Sequence, residues 1–306
     1  MILVAGEALI DLVVSFDGSI EAHPGGAPFN VCSTIARLGR QAAFLGALSA
    51  DRFGTTLGTA LASEGVDLSA VVTVSRPTTL ALAELDETGA ATYHFYADGT
   101  SAPAVDETAA KAALQLAPTA LCVGTLGLVL EPLASATKTL VDGVEDDVLV
   151  LLDPNCRPTV TTDRGGYLET VFQCARRADV IKVSDEDLAF LVPGGDAVPA
   201  TRSLLRPGAV GLLTRGAEGV TIVTAGQTVD VAAPRITVVD TVGAGDGFGG
   251  AFLAYWDEHG LGRGDVCDLE RVIDGVRFGV RVAAMICERA GADPPRRSEV
   301  EARVAE

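Results

Sequence analysis

The segment DTVGAGDGFGGAFLAYW, residues 240–256, combines alternating glycines, a central aspartate and an apolar helical pattern. Glycine lets the backbone approach a ligand closely, and the N–H groups at a helix start attract anions. The carboxylate of Asp246 would repel such an anion unless it faces a different group. The segment is therefore either a tight turn closed by a helix N-cap or a place where a carboxylate does chemistry beside a phosphate.

Two familiar phosphate-binding patterns can be compared with this segment. A P-loop requires GxxxxGK[ST], and no Lys or Ser follows the glycines in that way. A dinucleotide fingerprint GxGxxG is formally present at Gly245, Gly247 and Gly250. It falls late in the chain, and Asp246 would lie against the pyrophosphate, so we disfavour it. A strand–helix turn with Asp246 as a simple N-cap stays open.

Acid–base chemistry is the third interpretation of the segment. If ITVVDT is a strand and FGGAFLAYW a helix, the turn VGAGD directs its N–H groups into the space before the helix. Asp246 would take a proton from an attacking hydroxyl group. The amides of Gly243, Ala244 and Gly245 would stabilise the charge on a transferred phosphoryl group. One turn would then supply both a general base and an anion hole.

Apolar runs and helical patterns alternate along most of the chain. The apolar runs, typical of strands buried on both faces of a parallel sheet, are residues 2–6, 43–48, 120–124, 148–152, 179–183 and 210–214. Helical patterns occupy residues 27–38, 51–64, 107–116, 131–142 and 166–177, the second with Asp51 as its N-cap. The alternation predicts an α/β fold, a three-layer α-β-α sandwich with a mostly parallel central sheet.

Two regions depart from this alternation and predict a small β-sheet. Residues 12–16 and 71–96 are alternating or β-branched, and DETG at 86–89 is a hairpin-turn signal. Such a sheet can form a lid or a dimer contact, although an edge extension of the main sheet fits the same pattern. We expect one domain, residues 1–306, that carries this sheet as a lid.

The C-terminal third predicts two further elements. Residues 219–231 read as a hairpin that turns at Ala225-Gly226. From residue 268 a long helical pattern runs until Gly291 and Pro294 stop it.

Composition limits the classes of partner and compartment. The chain has 306 residues, of which 48% are hydrophobic and 21% charged, as in globular proteins. A net charge of −18 repels phosphate backbones and argues against a nucleic-acid partner. Six scattered cysteines without a CxxC pair favour reduced thiols in a cytoplasmic protein. No uncharged run reaches the roughly 20 residues of a membrane span, and Glu7 and Asp11 interrupt the apolar N-terminus, which lacks a basic region.

Two long motifs resemble the signatures of a known family. DTVGAGDGFGGAFL is similar to the C-terminal signature DTxGAGDxFxxGxL of the ribokinase-like (PfkB) sugar kinases, and PGGAPFNVCSTIARLG at 24–39 resembles their N-terminal signature. The resemblance extends from residue 1 to about residue 295. With GEALID, LEP and DPNCRP, the pattern is similar to that of bacterial fructokinases. It implies transfer of the γ-phosphate of Mg-ATP to a primary hydroxyl group of a monosaccharide, which we expect to be fructose.

The resemblance also implies a set of sugar-binding residues: Asp11, Gly25, Gly26, Asn30, Phe95 and Arg157. Glycines let the backbone approach a polyol, and an Asn side chain offers both a donor and an acceptor. Phe95, next to Tyr96 on the second lid strand, would cover the sugar. Asp11 can equally be an exposed acid at a strand end, and Arg157 can equally form a structural salt bridge.

On the nucleotide side, the residues implied to bind ATP are Lys182, Ser184, Thr214, Gly216 and Gly219. KVSDEDLAFL resembles the family's NxxE element but has Ser184 and Asp187 in its two positions, so either Asp187 or Glu186 would position Mg²⁺ through water. A Ser N-cap followed by acids in the first helical turn explains the same residues. Asp240 and the Val242 carbonyl group are the candidates for binding K⁺.

Several alternatives remain open. Other acceptors are 2-keto-3-deoxygluconate, ribose, a related ketose and nucleosides, and the context of Arg157 keeps the acidic sugar among the candidates. A non-catalytic sugar or nucleotide sensor could share the fold, but it would not need Asp246 within an intact GAGD. A dinucleotide oxidoreductase is disfavoured because no GxGxxG follows the first strand. The apolar residues of the lid suggest a homodimer formed through it.

Overall fold

The computed structural model describes residues 1–87 and 91–304 of the chain. The strands within them are β1 (Ile2–Ala5), β2 (Leu9–Val14), β3 (Ile20–Gly25), β4 (Ala42–Leu45), β5 (Ala47–Ser49), β6 (Val72–Val74), β7 (Leu80–Leu85), β8 (Ala91–Tyr96), β9 (Ala120–Gly124), β10 (Leu149–Asp153), β11 (Val180–Ser184), β12 (Val210–Thr214), β13 (Val220–Val223) and β14 (Thr228–Val231). The α-helices are α1 (Ala27–Arg37), α2 (Arg52–Ser63), α3 (Glu107–Ala113), α4 (Leu133–Gly143), α5 (Arg164–Ala175), α6 (Asp185–Leu191), α7 (Ala197–Leu204), α8 (Ala244–Glu258), α9 (Leu269–Cys287) and α10 (Arg297–Val304).

The main sheet has the strand order β14-β13-β12-β11-β10-β9-β1-β4. The six strands from β12 to β4 run parallel, and β13 and β14 continue the sheet antiparallel. Alternate strand residues enter different cores: Ile2 and Val4 pack with α1, α2, α8 and α9, whereas Leu3 and Ala5 pack with α3 to α7. Helices therefore cover both faces, and the predicted three-layer sandwich with a mostly parallel sheet is confirmed.

A separate four-stranded sheet has the order β3-β2-β7-β8. Only β2 and β7 pair parallel within it. The predicted small sheet is thus present, but its extent differs from the prediction. Residues 71–79 do not belong to it, because β6 pairs with β5 in a two-stranded sheet. Of the predicted turn DETG, Thr88 and Gly89 lie outside the described residues.

The sequence IEAHPG of β3 was not expected to form a strand. It is polar and contains Pro24, which lacks the backbone N–H that pairing on both sides requires. The strand tolerates this proline because β3 is an edge strand of its sheet.

Two other expectations about local structure were wrong. The apolar run 43–48 is two strands, β4 and β5, because it breaks at Gly46. The segment ITVVDT is not a strand: the N–H groups of Val239 and Asp240 donate to the Cys287 carbonyl oxygen rather than to a neighbouring strand. The polar helix α10 follows the predicted stop at Gly291 and Pro294.

The connections place several chain segments at one edge of the main sheet. Because the parallel strands share a direction, the C-terminal ends of β1, β10, β11 and β12 meet there, and ligands bind at this edge in such folds. Helix α1 begins directly after the edge strand β3, so the small sheet joins the main domain at the start of α1. Helix α1 packs against α8.

Candidate active site

Helix α8 begins with a glycine in the left-handed region. Gly243 is its N-cap with φ 74°, and a Cβ atom there would collide with the side chain of Ala292. The Ala244 N–H donates to the Thr241 carbonyl oxygen at 3.2 Å. The N–H groups of Gly243 and Gly245 have no acceptor among the described residues. Two of the three amides predicted to form an anion hole are therefore free to bind a ligand.

Asp246 is held by a side chain from another helix. It lies in the first turn of α8 and is 9% exposed. Asn30 in α1 donates from Nδ2 to Asp246 Oδ2 at 2.8 Å. Asp246 Oδ1 receives no hydrogen bond from the described part of the chain, so this oxygen remains able to accept a proton. The first turn of α8 thus brings together a fixed carboxylate and free amides.

Lys182 adds a buried cation beside this turn. Its Nζ lies 2.6 Å from Asp153 Oδ2, and a Cβ atom on Gly245 would lie 3.4 Å from the same Nζ. Burial acts to lower the pKa of Lys182, but the charges of Asp153, Asp187 and Asp246 raise it overall. The ammonium group therefore stays charged at neutral pH and can attract a phosphate.

Asp153, at the end of β10, retains an unused acceptor. Burial raises its pKa to about 6 against the opposing effect of Lys182. Its Oδ1 is buried and has no hydrogen-bond partner among the described residues.

Asp187 has a clear structural function at the start of α6. Its Oδ2 accepts from the backbone N–H and the hydroxyl group of Ser184, and its Oδ1 accepts from the N–H of Cys156. The Ser184 hydroxyl in turn accepts from the Asp187 N–H, which completes a capping box. The neighbouring Glu186 is exposed.

These residues fit a magnesium ion that binds mainly to nucleotide phosphates. Mg²⁺ typically takes one or two carboxylates and keeps several waters. A carboxylate has about four acceptor sites, and three hydrogen bonds to Asp187 leave one for a metal-bound water. The described residues contain no group of three or more His, Cys, Asp or Glu side chains that could hold a metal by themselves.

The remaining predicted ATP residues follow β12. Thr214 ends the strand and donates from Oγ1 to the Val183 carbonyl oxygen at 3.3 Å. Gly216 begins a 3₁₀ turn. Gly219 has φ 98°, and a Cβ atom on it would collide with the Val231 carbonyl oxygen, so the β13–β14 hairpin itself requires this glycine.

The predicted sugar residues lie where the small sheet meets α1. Asp11 in β2 points across the neighbouring strand, because a Cβ atom on Gly25 would overlap its Oδ2. Burial, with a smaller contribution from the charge of Asp246, raises the pKa of Asp11 to about 6. The structure thus brings Asp11, Gly25 and Asn30 to the same side of α8 as Asp246. Gly26, between β3 and α1, joins this group.

Phe95 and Arg157 are the two remaining residues of the predicted sugar site. Phe95 is partly buried and packs with Leu9, Ala81 and Leu126 on the small sheet's inner side. Arg157 donates to the backbone carbonyl oxygens of Asn155 and Cys156, at 3.2 and 3.1 Å. It forms no ion pair with the described residues, and its charge lowers the pKa of Asp11 against the dominant effect of burial.

Asp240 closes the loop that precedes α8. Its Oδ1 accepts from the Val242 N–H at 3.0 Å and its Oδ2 from the Gly291 N–H at 2.8 Å. Although burial opposes the shift, these backbone N–H groups lower its pKa. Asp240 therefore remains anionic, and its two carboxylate oxygens tie the Val242 backbone to Gly291.

Glu7 belongs to this region, although in the sequence it stands out only as a charge that interrupts an apolar segment. It is 1% exposed, and burial raises its pKa to about 8. Its signal in the sequence is a charged residue between two buried strands, MILVAGEALI.

The sequence profile of the pfkB family carbohydrate kinases matches residues 1–298. The chain belongs to this family. A fructokinase of Rhizobium leguminosarum bv. trifolii is 35% identical over 259 residues, which are 83% of this chain and 79% of that protein. The crystal structure of a Xylella fastidiosa fructokinase with bound ATP superposes with a TM-score of 0.91 at 27% identity, over 99% of this chain and 98% of that one.

A second solved structure carries both a sugar and a nucleotide. A Vibrio cholerae O395 fructokinase in a fructose-, ADP- and calcium-bound form has a TM-score of 0.84 at 25% identity. The match covers 98% of this chain and 97% of that chain. These findings confirm the predicted family and fold, and they identify this pfkB kinase as a phosphotransferase that acts on a sugar hydroxyl group.

No described helix is both long and apolar enough to cross a membrane.

Proposed function

We propose that the chain is an ATP-dependent fructokinase that phosphorylates a primary hydroxyl group of fructose. One observation carries this proposal: Asn30 holds the Asp246 carboxylate at 2.8 Å, directly beside the free amides of Gly243 and Gly245. A base and an anion hole within one helical turn are the parts that phosphoryl transfer needs.

In the proposed reaction, the sugar hydroxyl oxygen attacks the γ-phosphorus of ATP. A bond forms between this oxygen and the phosphorus while the bond between the phosphorus and the departing ADP oxygen breaks. Asp246 Oδ1 accepts the hydroxyl proton. The amides of Gly243 and Gly245 and the ammonium group of Lys182 stabilise the negative charge on the phosphoryl group. The side chain of Asn30 keeps the carboxylate aimed during the transfer.

Fructose is supported by the relatives and by the chemistry of the pocket. The Rhizobium relative and the two structural neighbours are fructokinases, one of them with fructose bound. Asp11 and Asn30 offer acceptors and a donor for sugar hydroxyl groups. Phe95, with Tyr96 beside it, would close over the sugar from the small sheet.

One observation favours a second acceptor, the acidic sugar 2-keto-3-deoxygluconate. Arg157 has no ion-pair partner within the described residues and could bind a carboxylate. The carboxylates of Asp11 and Asp246 oppose an anion in the same pocket, so we rank fructose first. Ribose and nucleosides rank below both.

We assign the nucleotide and the ions to the side of Asp246 that lies opposite the sugar. We place the ATP phosphates between the start of α8 and the ends of β11 and β12, near Lys182, Ser184, Thr214, Gly216 and Gly219. Magnesium would neutralise phosphate charge when bound, with Asp187 contacting it through water in preference to the exposed Glu186. Asp240 and the Val242 carbonyl group would bind K⁺.

We also propose that residues 1–306 form one kinase domain with the small sheet as its lid. All six cysteines are free thiols, which supports a reducing cytoplasmic compartment.

A panel assay tests the choice of sugar. ADP release from Mg-ATP would be measured with fructose, ribose, 2-keto-3-deoxygluconate and a nucleoside, each with and without enzyme. We expect kcat/KM for fructose to exceed the others by at least about 10-fold, or about 1.4 kcal/mol in transition-state binding. A higher value for 2-keto-3-deoxygluconate would replace fructose with the acidic sugar, and loss of that activity in Arg157→Gln would assign its carboxylate to Arg157.

A further inference from the structure

A short strap, residues 291–294 (GADP), lies against the start of α8, and the proposed mechanism gives it no role. It belongs to the connection between α9, which ends at Cys287, and α10, which begins at Arg297. A Cβ atom on Gly243 would collide with the Ala292 side chain and lie 3.0 Å from the Ala292 Cα. Ala292 therefore packs directly on the N-cap residue whose free N–H belongs to the proposed anion hole.

The first residue of the strap is tied to the loop before α8. The Gly291 N–H donates to Asp240 Oδ2 at 2.8 Å, and Asp240 Oδ1 accepts from the Val242 N–H at 3.0 Å. One carboxylate thus joins the strap to the residue that precedes Gly243. A shift of the strap would therefore be passed to the backbone of the anion hole.

The other end of the strap is held by α1. Arg37, in the last turn of α1, donates from Nη1 to the Pro294 carbonyl oxygen at 2.7 Å and to Asp293 Oδ1. Its Nε donates to Glu64 Oε1, at the end of α2, at 3.0 Å. The Arg37 side chain is only 22% exposed, and ion pairs of partly buried groups are screened less than those at the surface. Arg37 therefore fixes the strap to the main domain.

Helix α1 supports both parts of the proposed catalytic turn. Its first turn contains Asn30, which holds the Asp246 carboxylate at 2.8 Å. Its last turn contains Arg37, which holds the strap that packs on Gly243. Donors that are held in place before the reaction stabilise a transition state without a cost of reorganisation. One helix thus sets the base and the anion hole relative to each other.

We propose that Arg37 is a positioning residue for phosphoryl transfer: through Asp293, Pro294 and the strap it fixes the Gly243 backbone and so aims the amides of the anion hole. The proposal rests on the proposed function, because these amides need aiming only if they bind a transferred phosphoryl group. Arg37 acts through the strap alone and does not contact the sugar or the phosphate.

Substitutions on both sides of the contact test this role. Arg37→Met removes the contacts to Asp293 and Pro294, Asp293→Ala removes one of them, and Asp293→Asn keeps an oxygen that can accept from Arg37. Misplacement of about 1 Å at a reacting group costs about 10²-fold in rate. We expect kcat with fructose to fall by about 10²-fold in Arg37→Met and about 10-fold in Asp293→Ala, and to stay within about 3-fold of wild type in Asp293→Asn. The KM for fructose should change by less than about 3-fold, because an anion hole acts in the transition state.

Arg40→Met is the matched control. Arg40 is also a partly buried arginine close to the end of α1, but its guanidinium group pairs at 2.6 Å with Asp257, near the C-terminal end of α8. This variant should lower the melting temperature and keep kcat per folded molecule within about 3-fold of wild type, as expected for a purely structural ion pair. An equal loss of kcat in Arg40→Met and Arg37→Met would overturn the proposal. So would wild-type kcat in Arg37→Met or Asp293→Ala, or a loss in Asp293→Asn as large as in Asp293→Ala.

A double-mutant cycle tests the route through Ala292. Ala292→Gly removes the side chain that packs on Gly243. In this background the loss of kcat caused by Arg37→Met should be at least about 3-fold smaller than in wild type, because part of the route is already absent. A loss of the same size in both backgrounds would overturn the route through the strap.

Amide hydrogen exchange provides a readout that does not need activity. The N–H groups of Val242 and Gly247 have acceptors in the loop before α8. They should exchange at least about 5-fold faster in Arg37→Met than in wild type and in Arg40→Met, because the loop opens more often. Unchanged exchange there would overturn the positioning role even if kcat fell. If wild type showed no fructose-dependent turnover, the proposed function would fail, while the exchange result would still decide whether Arg37 fixes the start of α8.

Discussion

At the scale of single residues, the site concentrates acidic groups that burial makes hard to ionise. The pKa values of Asp11 and Asp153 rise to about 6, and that of Glu7 to about 8. Carboxyl groups with raised pKa values destabilise the folded protein at neutral pH, because ionising them costs more free energy in the folded state than in the unfolded chain. We interpret these residues as retained for function at a cost in stability.

Replacing the Asp11 carboxyl group should stabilise the protein at neutral pH. The pKa of Asp11 rises from 3.8 to about 6 on folding. The stability contributed by the neutral Asp11 carboxyl group is therefore fully present below pH 4 and is lost as the pH rises through 6. That shift corresponds to about 3 kcal/mol, and solvent screening of the partly exposed side chain reduces it to about 2 kcal/mol. Asp11→Asn should therefore unfold at higher urea concentration than wild type at pH 7.5, with the difference gone at pH 4.

The same variant should raise the KM for the sugar, because Asp11 loses an acceptor in the proposed pocket. Asp147→Asn, at an exposed aspartate, serves as the control. An equal stability difference at pH 4 and pH 7.5 would contradict the assignment of a raised pKa to Asp11.

At the scale of secondary-structure elements, one buried aspartate joins several of them at the N-terminal edge of the main sheet. Asp179, fully buried before β11, accepts from the Val150 N–H in β10 at 2.9 Å. It also pairs with Arg177 at 3.0 Å, with Arg263 at 2.8 Å and with Arg206. This network lies away from the C-terminal strand ends and so belongs to the fold rather than to the site.

Asp179→Asn should destabilise the protein by about 3–5 kcal/mol, because three partly buried arginine charges lose a fully buried carboxylate partner. The expected kcat per folded molecule is that of wild type. Chemical denaturation and active-site-normalised turnover would measure the two quantities. Asp146→Asn is the matched control, since Asp146 is fully exposed at 3.9 Å from Arg263 and should change stability by less than about 0.5 kcal/mol. A loss of kcat in folded Asp179→Asn would contradict a purely structural role.

The predictability of the elements followed the strength of their local signals. The apolar runs of β1, β9, β10, β11 and β12 are long enough to specify buried parallel strands without knowledge of the fold. The strand predicted at residues 236–241 is absent, because β-branched residues indicate an extended backbone but do not specify a pairing partner. The edge strand β3 was not predicted, because its polar sequence with Pro24 does not resemble a strand. It forms a strand only because β2 offers an edge for pairing.

The candidate site shows the same limit. The glycines and Asp246 were predictable because one segment contains them all. The support of Asp246 by Asn30 spans 216 positions and depends on the packing of α1 against α8. Glu7 was missed because its burial depends on the fold, which one sequence cannot reveal.

At the scale of the whole molecule, the small sheet and its β2–β3 turn expose large apolar side chains. Phe16 is 71% exposed, Ile20 64%, Tyr93 54% and Tyr96 57%. Clusters of this kind mark interaction surfaces in many proteins. We propose that two copies associate through this sheet.

Sedimentation tests the proposed dimer. Wild type should sediment as a dimer at micromolar concentration, and Ile20→Lys with Tyr93→Glu should shift it to a monomer. Because each copy carries a net charge of −18, dimerisation should strengthen as salt screens repulsion. Phe172→Ser, at an exposed position on α5, should leave the dimer intact. A wild-type monomer under these conditions would contradict the dimer.

The most direct test of the central claim is the rate of fructose-dependent ADP formation by wild type and by Asp246→Asn. We expect turnover in wild type and a kcat lower by about 10²–10⁴-fold in the variant, the usual contribution of a general base. ATP binding, measured by calorimetry, should be preserved in the variant. Wild-type turnover in Asp246→Asn would contradict the assignment of Asp246 as the base.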